Sequence, residues 1–296
     1  MDYKNIINET TEFITKNLLE TLSSEMLAKR AGFSTYHFSK LFSFYEGMPI
    51  MEYVRRARLA RAAHDICAGR RIIDVALEYG FESHSGFSKA FKRVYSYSPE
   101  EYRQRVGTHR PPAPNPLVNT EKIQGESAPT VRITEREGFY IAGIILRTSP
   151  ELSGASSMPA VWNSIDLSEI ENRIYADAMP KEHGEYYLSF PVKGETFRYV
   201  AGVRISAVED VDDGLYLDFV EGGLYAVFSL APVFGSADEF ARSVSGAWKY
   251  IYESWLPTSE YRLDQTRLDY EFYDERCHGT GPYSMDIYVP ITKKDI

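Results

Sequence analysis

One strand-like run, LDYEFYDE (268–275), sets a carboxylate inside an aromatic segment. Alternation along a strand puts Glu271 and Tyr273 on one face, with Tyr270 and Phe272 on the other. A carboxylate buried among rings is costly unless paired, and a cationic ligand held also by ring quadrupoles is one way to offset that cost. An exposed strand glutamate, or one bonded to a neighbour such as Arg267, is the plain alternative. No second group of catalytic type stands out beside Glu271. The two cysteines, Cys67 and Cys277, have no metal-type spacing and read as ordinary thiols, and the adjacency of Cys277 and His278 reads as coincidence. No catalytic residue, metal ligand or cofactor is therefore expected.

A different chemistry is carried by a repeated phrase. FSKLF (38–42) returns as FSKAF (87–91), and the flanks repeat with it: LAKRAGFS (27–34) and VALEYGFES (75–83) each place Ala four residues before Gly, at Ala28 and Gly32 and at Ala76 and Gly80. A small residue lets two helices approach, and a Gly supplies the positive φ of a tight inter-helix turn, so the spacing predicts two helix-turn-helix units. Phe38, Leu41, Phe42 and Tyr45, and likewise Phe87, Ala90, Phe91 and Val94, fall at core-facing helical spacing. The opposite faces carry Tyr36, Ser39, Lys40 and Ser43 in one unit, and His84, Ser85, Ser88, Lys89 and Lys92 in the other. Short hydrogen-bonding groups mixed with cations suit base edges and phosphates in a major groove; a solvated helix face is the alternative.

The elements that must position these residues divide the chain. Seven helices are expected in the first part: 3–19, two in 24–46, a joining helix over 51–69, two in 72–94 and a short one from Ser98–Pro99. The joining helix would hold the two recognition helices about 34 Å apart, one turn of DNA. Residues 1–110 hold 17 Lys and Arg against 13 Asp and Glu, a net of +4, and the remainder 16 against 29, a net of −13. The basic excess thus lies with the repeat, where phosphate neutralisation would need it. Five prolines between 111 and 129 mark a partly extended linker. The boundaries are 1–108 for an all-α DNA-binding domain, 109–129 for the linker and 130–296 for a second, α+β domain.

The second domain also repeats. EGFYIAG (137–143) corresponds to EGGLYAVF (221–228), Trp162 to Trp248, EYYLSFP (185–191) to DYEFYDE (269–275) and YVAGVRI (199–205) to MDIYVPI (285–291). Helices are expected in SMPAVWNSIDLSEIEN (157–172) and SADEFARSVSGAWKYIYESWL (236–256). Each half is then two strands, a helix and two strands, with a cleft expected at their pseudo-twofold, a common place for a small-molecule site. With 44% hydrophobic and 14% aromatic residues the chain can build real cores. No apolar run approaches the ~20 residues of a membrane span, and MDYKNIINET lacks the pattern of a signal peptide, so a soluble, cytoplasmic protein is expected.

Residues 3–106, above all SSEMLAKRAGFSTYHFSKLF and IIDVALEYGFESHSGFSKAFKRVYSYSPEEYR, resemble the DNA-binding domain of the AraC/XylS transcription regulators. The resemblance implies base contacts from Tyr36, Ser39 and Lys40 in the first recognition helix and from His84, Ser85, Ser88 and Lys89 in the second. It leaves Arg55, Arg56, Lys92 and Arg93 as phosphate clamps, with solvated surface as the alternative, and core packing as the alternative for Tyr36. Residues 130–293, through GAWKYIYESWLPTSEYRL, YEFY and DIYVPI, resemble the GyrI-like effector-binding domain. Its central Glu aligns with Glu271, and Trp248 and Tyr225 match pocket aromatics; Tyr273, Trp162 and Tyr187 complete the expected ligand set. The two resemblances together imply a transcription activator with double-stranded DNA, a small lipophilic effector and RNA polymerase as partners, working as a monomer or weak dimer without a membrane. A GyrI-like hydrolase using the same Glu to activate water, and a protein-interaction module, are the alternative readings of the second domain.

Overall fold

The computed structural model describes residues 2–106, 128–146, 167–178, 180, 183–191, 197–206, 208, 211, 214–277 and 282–294. The chain forms two compact units, one of residues 5–119 and one of residues 120–296 together with residues 1–4. The expected linker falls outside the described residues except for 128 and 129.

Seven helices occupy the described part of the first unit: α1 (Tyr3–Lys16), α2 (Ser24–Ala31), α3 (Thr35–Glu46), α4 (Ile50–Cys67), α5 (Ile72–Glu78), α6 (His84–Tyr95) and α7 (Pro99–Val106). The two turns are built alike. Gly32 and Gly80 both take φ of +79°, and the next residue's N–H closes the helix end, Phe33 onto the Ala28 carbonyl and Phe81 onto that of Ala76, each at 3.0 Å. Ser34 then caps α3 and Ser83 caps α6 through their hydroxyls. The second turn holds one more residue, Glu82, so the repeat spacing lengthens by one across it. Ala28 and Ala76 are buried, as are Phe38, Leu41, Phe42, Phe87 and Phe91, whereas Val94, expected in the core, is 37% exposed. Val94 lies in the last turn of α6. Arg58 of α4 donates to the carbonyls of Leu18 (2.9 Å) and Glu20 (2.7 Å), tying the residues that follow α1 to the joining helix.

The second unit has strands β1 (Thr130–Arg136), β2 (Phe139–Leu146), β3 (Glu185–Pro191), β4 (Phe197–Ile205), β5 (Tyr216–Val220), β6 (Gly223–Ser229), β7 (Tyr261–Leu263), β8 (Tyr270–Tyr273) and β9 (Asp286–Lys293), with helices α8 (Leu167–Ala178) and α9 (Ala237–Tyr250). The sheet order is β1-β6-β9-β8-β3-β4-β2-β5, with β7 on β9, and every pairing is antiparallel. Exchanging the two halves of the sequence reads this order backwards, so a pseudo-twofold passes between β3 and β8. The expected double repeat is present, with β7 added in the second half. The first helix, described over Leu167–Ala178, runs beyond its expected end, with Ile174 and Ala178 buried; residues 157–166 lie outside the described residues.

Two short connections decide the sheet's shape. β1 and β2 stand first and seventh in the order yet are joined by Glu137 and Gly138 alone; β5 and β6 stand eighth and second yet are joined by Glu221 and Gly222. The sheet must therefore curl until its ends meet. They meet at the two glycines: a Cβ on Gly222 would lie 2.5 Å from the Gly138 nitrogen and 2.6 Å from the Arg136 carbonyl oxygen. The inner face buries a core that includes Phe139, Tyr186, Val200, Tyr225, Tyr270 and Tyr288.

Candidate functional site

In the first unit, α6 presents its polar face openly: His84, Ser85, Lys89, Lys92 and Arg93 are exposed and Ser88 is half-buried. Helix α3 is set deeper. Ser39 and Lys40 are half-buried, while Tyr36 is only 6% exposed, its ring edge-on to His37 at 4.7 Å, and Ser43 is fully buried. The structure thus places Tyr36 in the packed interior, and of the expected base readers Ser39 and Lys40 remain accessible on α3. Arg55 and Arg56 both reach Glu52, one turn away on α4, with Arg56 Nε donating at 2.8 Å. One carboxylate therefore orients two half-buried guanidinium groups, leaving a net positive charge there. A hollow of about 770 Å³ in this unit is lined by residues of α1, α4 and α5, among them Arg61 and His64. Arg70 bonds Asp65 (2.9 Å) and Glu78 within it, and the Tyr79 hydroxyl donates to Asp65 (3.0 Å), a network that joins α4 to α5.

In the second unit, Glu271 is 7% exposed and sits beside the pseudo-twofold, directly across from Tyr187. Trp248 Nε1 donates to its Oε1 at 2.7 Å and the Tyr273 hydroxyl to its Oε2 at 2.9 Å. Helix α9 places the indole: a capping box at Ser236 and Glu239 starts it, and Phe240, Val244, Ala247 and Trp248 form its buried stripe. Directly after α9 comes a π-helical turn, Ile251–Trp255, whose Tyr252 stacks on Trp248 at 5.7 Å. Tyr187 and Tyr273 meet edge to face at 5.1 Å. Burial first, and then the charge of Glu271, push the hydroxyls of Tyr199 and Tyr273 far above their ordinary range, so they stay neutral. Arg267 does not provide the pairing raised as an alternative from the sequence. It bonds Asp264 at 2.9 Å and the carbonyls of Gly222, Leu224 and Ile291.

Of the six residues expected at this site, the structure brings together Glu271, Tyr273, Trp248 and Tyr187. Trp162 lies outside the described residues. Tyr225 is on the other face: register through β9 puts it with Tyr288 and Tyr270, and its hydroxyl donates to the Glu221 carbonyl at 2.9 Å. Its match to a pocket position fails because strand alternation sends it inward. Two residues missed in the sequence share the Glu271 face. Tyr199 lies across from Ser189 on β4, and Glu185 lies across from Tyr273 on β3, fully buried, with the Tyr175 hydroxyl of α8 donating to it at 2.7 Å. Their signal was alternation within EYYLSFP and YVAGVRI. Burial pushes the Cys277 thiol up to about 12, and it donates to the Ser284 carbonyl.

Comparison with known proteins decides the family. The GyrI-like small molecule binding domain matches residues 129–292, more than half of the chain. The chain belongs to that family. A helix-turn-helix domain family matches residues 27–105, and this unit is of the AraC type. The HTH-type transcriptional activator AarP of Providencia stuartii is 37% identical over 99 residues, 33% of this chain and 73% of AarP. The HTH-type transcriptional regulator YbfP of Bacillus subtilis is 38% identical over 104 residues, so the matched segment spans 35% of each chain. The structure of SAV2435 bound to tetraphenylphosphonium aligns with 55% of this chain and 94% of its own, at 12% identity and a TM-score of 0.40. Among the described residues, no helix is long and apolar enough to cross a membrane.

Proposed function

We propose that this GyrI-like protein is a cytoplasmic transcription activator whose first domain reads two successive major-groove segments and whose second domain is governed by a small lipophilic cation anchored at Glu271. The observation that carries the effector class is the Glu271 carboxylate itself. It is nearly buried, each oxygen accepts from a neutral donor, and aromatic rings surround it. An indole and a phenol stabilise the anion without cancelling its charge, and a desolvated charge among ring faces favours a cation that need not stay hydrated. Two similar helix-turn-helix units joined by the 18-residue α4 support the DNA reading. The name of AarP supports activation, with RNA polymerase as the partner that activation requires.

For the effector to regulate, it must favour one state of the protein on DNA over another. The test is transcription in vitro by RNA polymerase from a promoter carrying a site selected by the first domain. A lipophilic quaternary ammonium is expected to change the output of the wild type and leave that of Glu271→Gln unchanged. Equal output with and without the cation in both proteins would contradict the proposal.

A further inference from the structure

The inner face of the curled sheet, opposite Glu271, holds a second polar group that its surroundings do not complete. Arg136 ends β1 half-buried. Its Nη1 donates to the Tyr288 hydroxyl at 3.0 Å, its guanidinium lies 4.8 Å from the Tyr288 ring centroid and 6.0 Å from that of Phe139, and it hydrogen-bonds Tyr186. Every partner of the guanidinium among the described residues is thus a ring or a phenol oxygen. Beside it stands Tyr270, 1% exposed, its ring stacked on Tyr288 at 4.6 Å, and its hydroxyl has no hydrogen-bond partner among the described residues. A buried hydroxyl without a partner and a partly desolvated cation without a carboxylate are each costly. One ligand would relieve both: an anion with two oxygens, one accepting from the guanidinium and one from the phenol.

We propose that Arg136 and the Tyr270 hydroxyl form a second binding site in this domain, for a small organic anion of the carboxylate class, on the face of β8 opposite Glu271. Burial pushes the hydroxyl of Tyr270 well up, and that of Tyr225 to about 12, so these phenols remain donors rather than competing anions. The half-buried Arg136 marks the side open to water, and the apolar wall of Phe139 and Leu188 favours a carboxylate with a hydrocarbon or aryl body over inorganic phosphate.

The test uses the full chain and sodium benzoate, with sodium chloride at matched ionic strength as the reference. Benzoate is expected to raise the melting temperature in a saturable way. The rise should vanish in Tyr270→Phe and in Arg136→Gln and persist in Glu271→Gln, which separates this site from the one assigned to cations. Without ligand, Tyr270→Phe should melt no lower than the wild type, because it removes a hydroxyl that bonds none of the described residues. If Arg136→Gln fails to fold, Tyr270→Phe alone decides. No benzoate shift in the wild type, a shift that survives Tyr270→Phe, or a ligand-free Tyr270→Phe protein that melts lower would overturn the proposal.

Discussion

Each oxygen of the Glu271 carboxylate accepts a hydrogen bond, and these donors come from different elements, Trp248 from α9 and Tyr273 from its own strand. Replacing Trp248 by Phe keeps most of the ring but removes the indole donor to Oε1. The expected cost is about 2 kcal/mol of unfolding free energy, read from urea denaturation; no loss would mean the indole bond contributes nothing. A second carboxylate supplies a pH signature. Asp286 is buried, which alone would raise its pKa, but hydrogen bonds from Ser229, Arg276 and Arg132 outweigh burial and hold it below the usual carboxylate value. A depressed folded-state pKa gives stability that is complete above the unfolded value near 3.8 and is lost as pH falls through the lower folded value. The wild type should therefore lose stability more steeply than Asp286→Asn as pH drops below about 4. At this scale the sequence was partly legible. Alternation in YEFY put Glu271 and Tyr273 together, whereas the side taken by Tyr225 depends on register across β9, which no local pattern specifies.

The best-read elements were those whose residues repeat. Ala28 with Gly32 and Ala76 with Gly80 announced two equivalent turns, because only a small residue and a left-handed Gly meet that geometry. The depth of α3 was not legible, since Tyr36 is polar enough to be read as surface and apolar enough to be buried. The sheet order was hidden as well: EGFYIAG and EGGLYAVF mark matching positions but not that β1 pairs with β6 while β2 pairs with β5. What enforces that exchange is the crossing of the two connections at Gly138 and Gly222, 84 positions apart in the sequence. Gly222→Ala is accordingly expected to destabilise the protein by about 3 kcal/mol or more, since the new methyl meets backbone atoms that cannot turn aside as a side chain would. A thermal melt within a degree of wild type would show that the connections do not cross so closely.

Across the whole molecule, charge and chemistry are partitioned. The first 110 residues carry the positive excess and the exposed cations of α6, while the rest carries the acidic excess, including the buried Glu185 and Glu271. That partition was visible in composition, as was the presence of two domains; the closed surroundings of Glu271 were not, because they need α9 to deliver Trp248 onto a strand 23 residues further on. The central claim is that this carboxylate anchors a lipophilic cation. The most direct measurement is the melting temperature of the full chain and of Glu271→Gln with a lipophilic quaternary ammonium, an uncharged compound of the same bulk and a carboxylate. At a hundredfold excess over Kd, the cation should raise the wild-type melting temperature by roughly 5 °C or more and leave Glu271→Gln unmoved. The uncharged compound should do much less, and any carboxylate effect should be the same in both proteins. A cation shift of equal size in Glu271→Gln, or none in the wild type, would contradict the account.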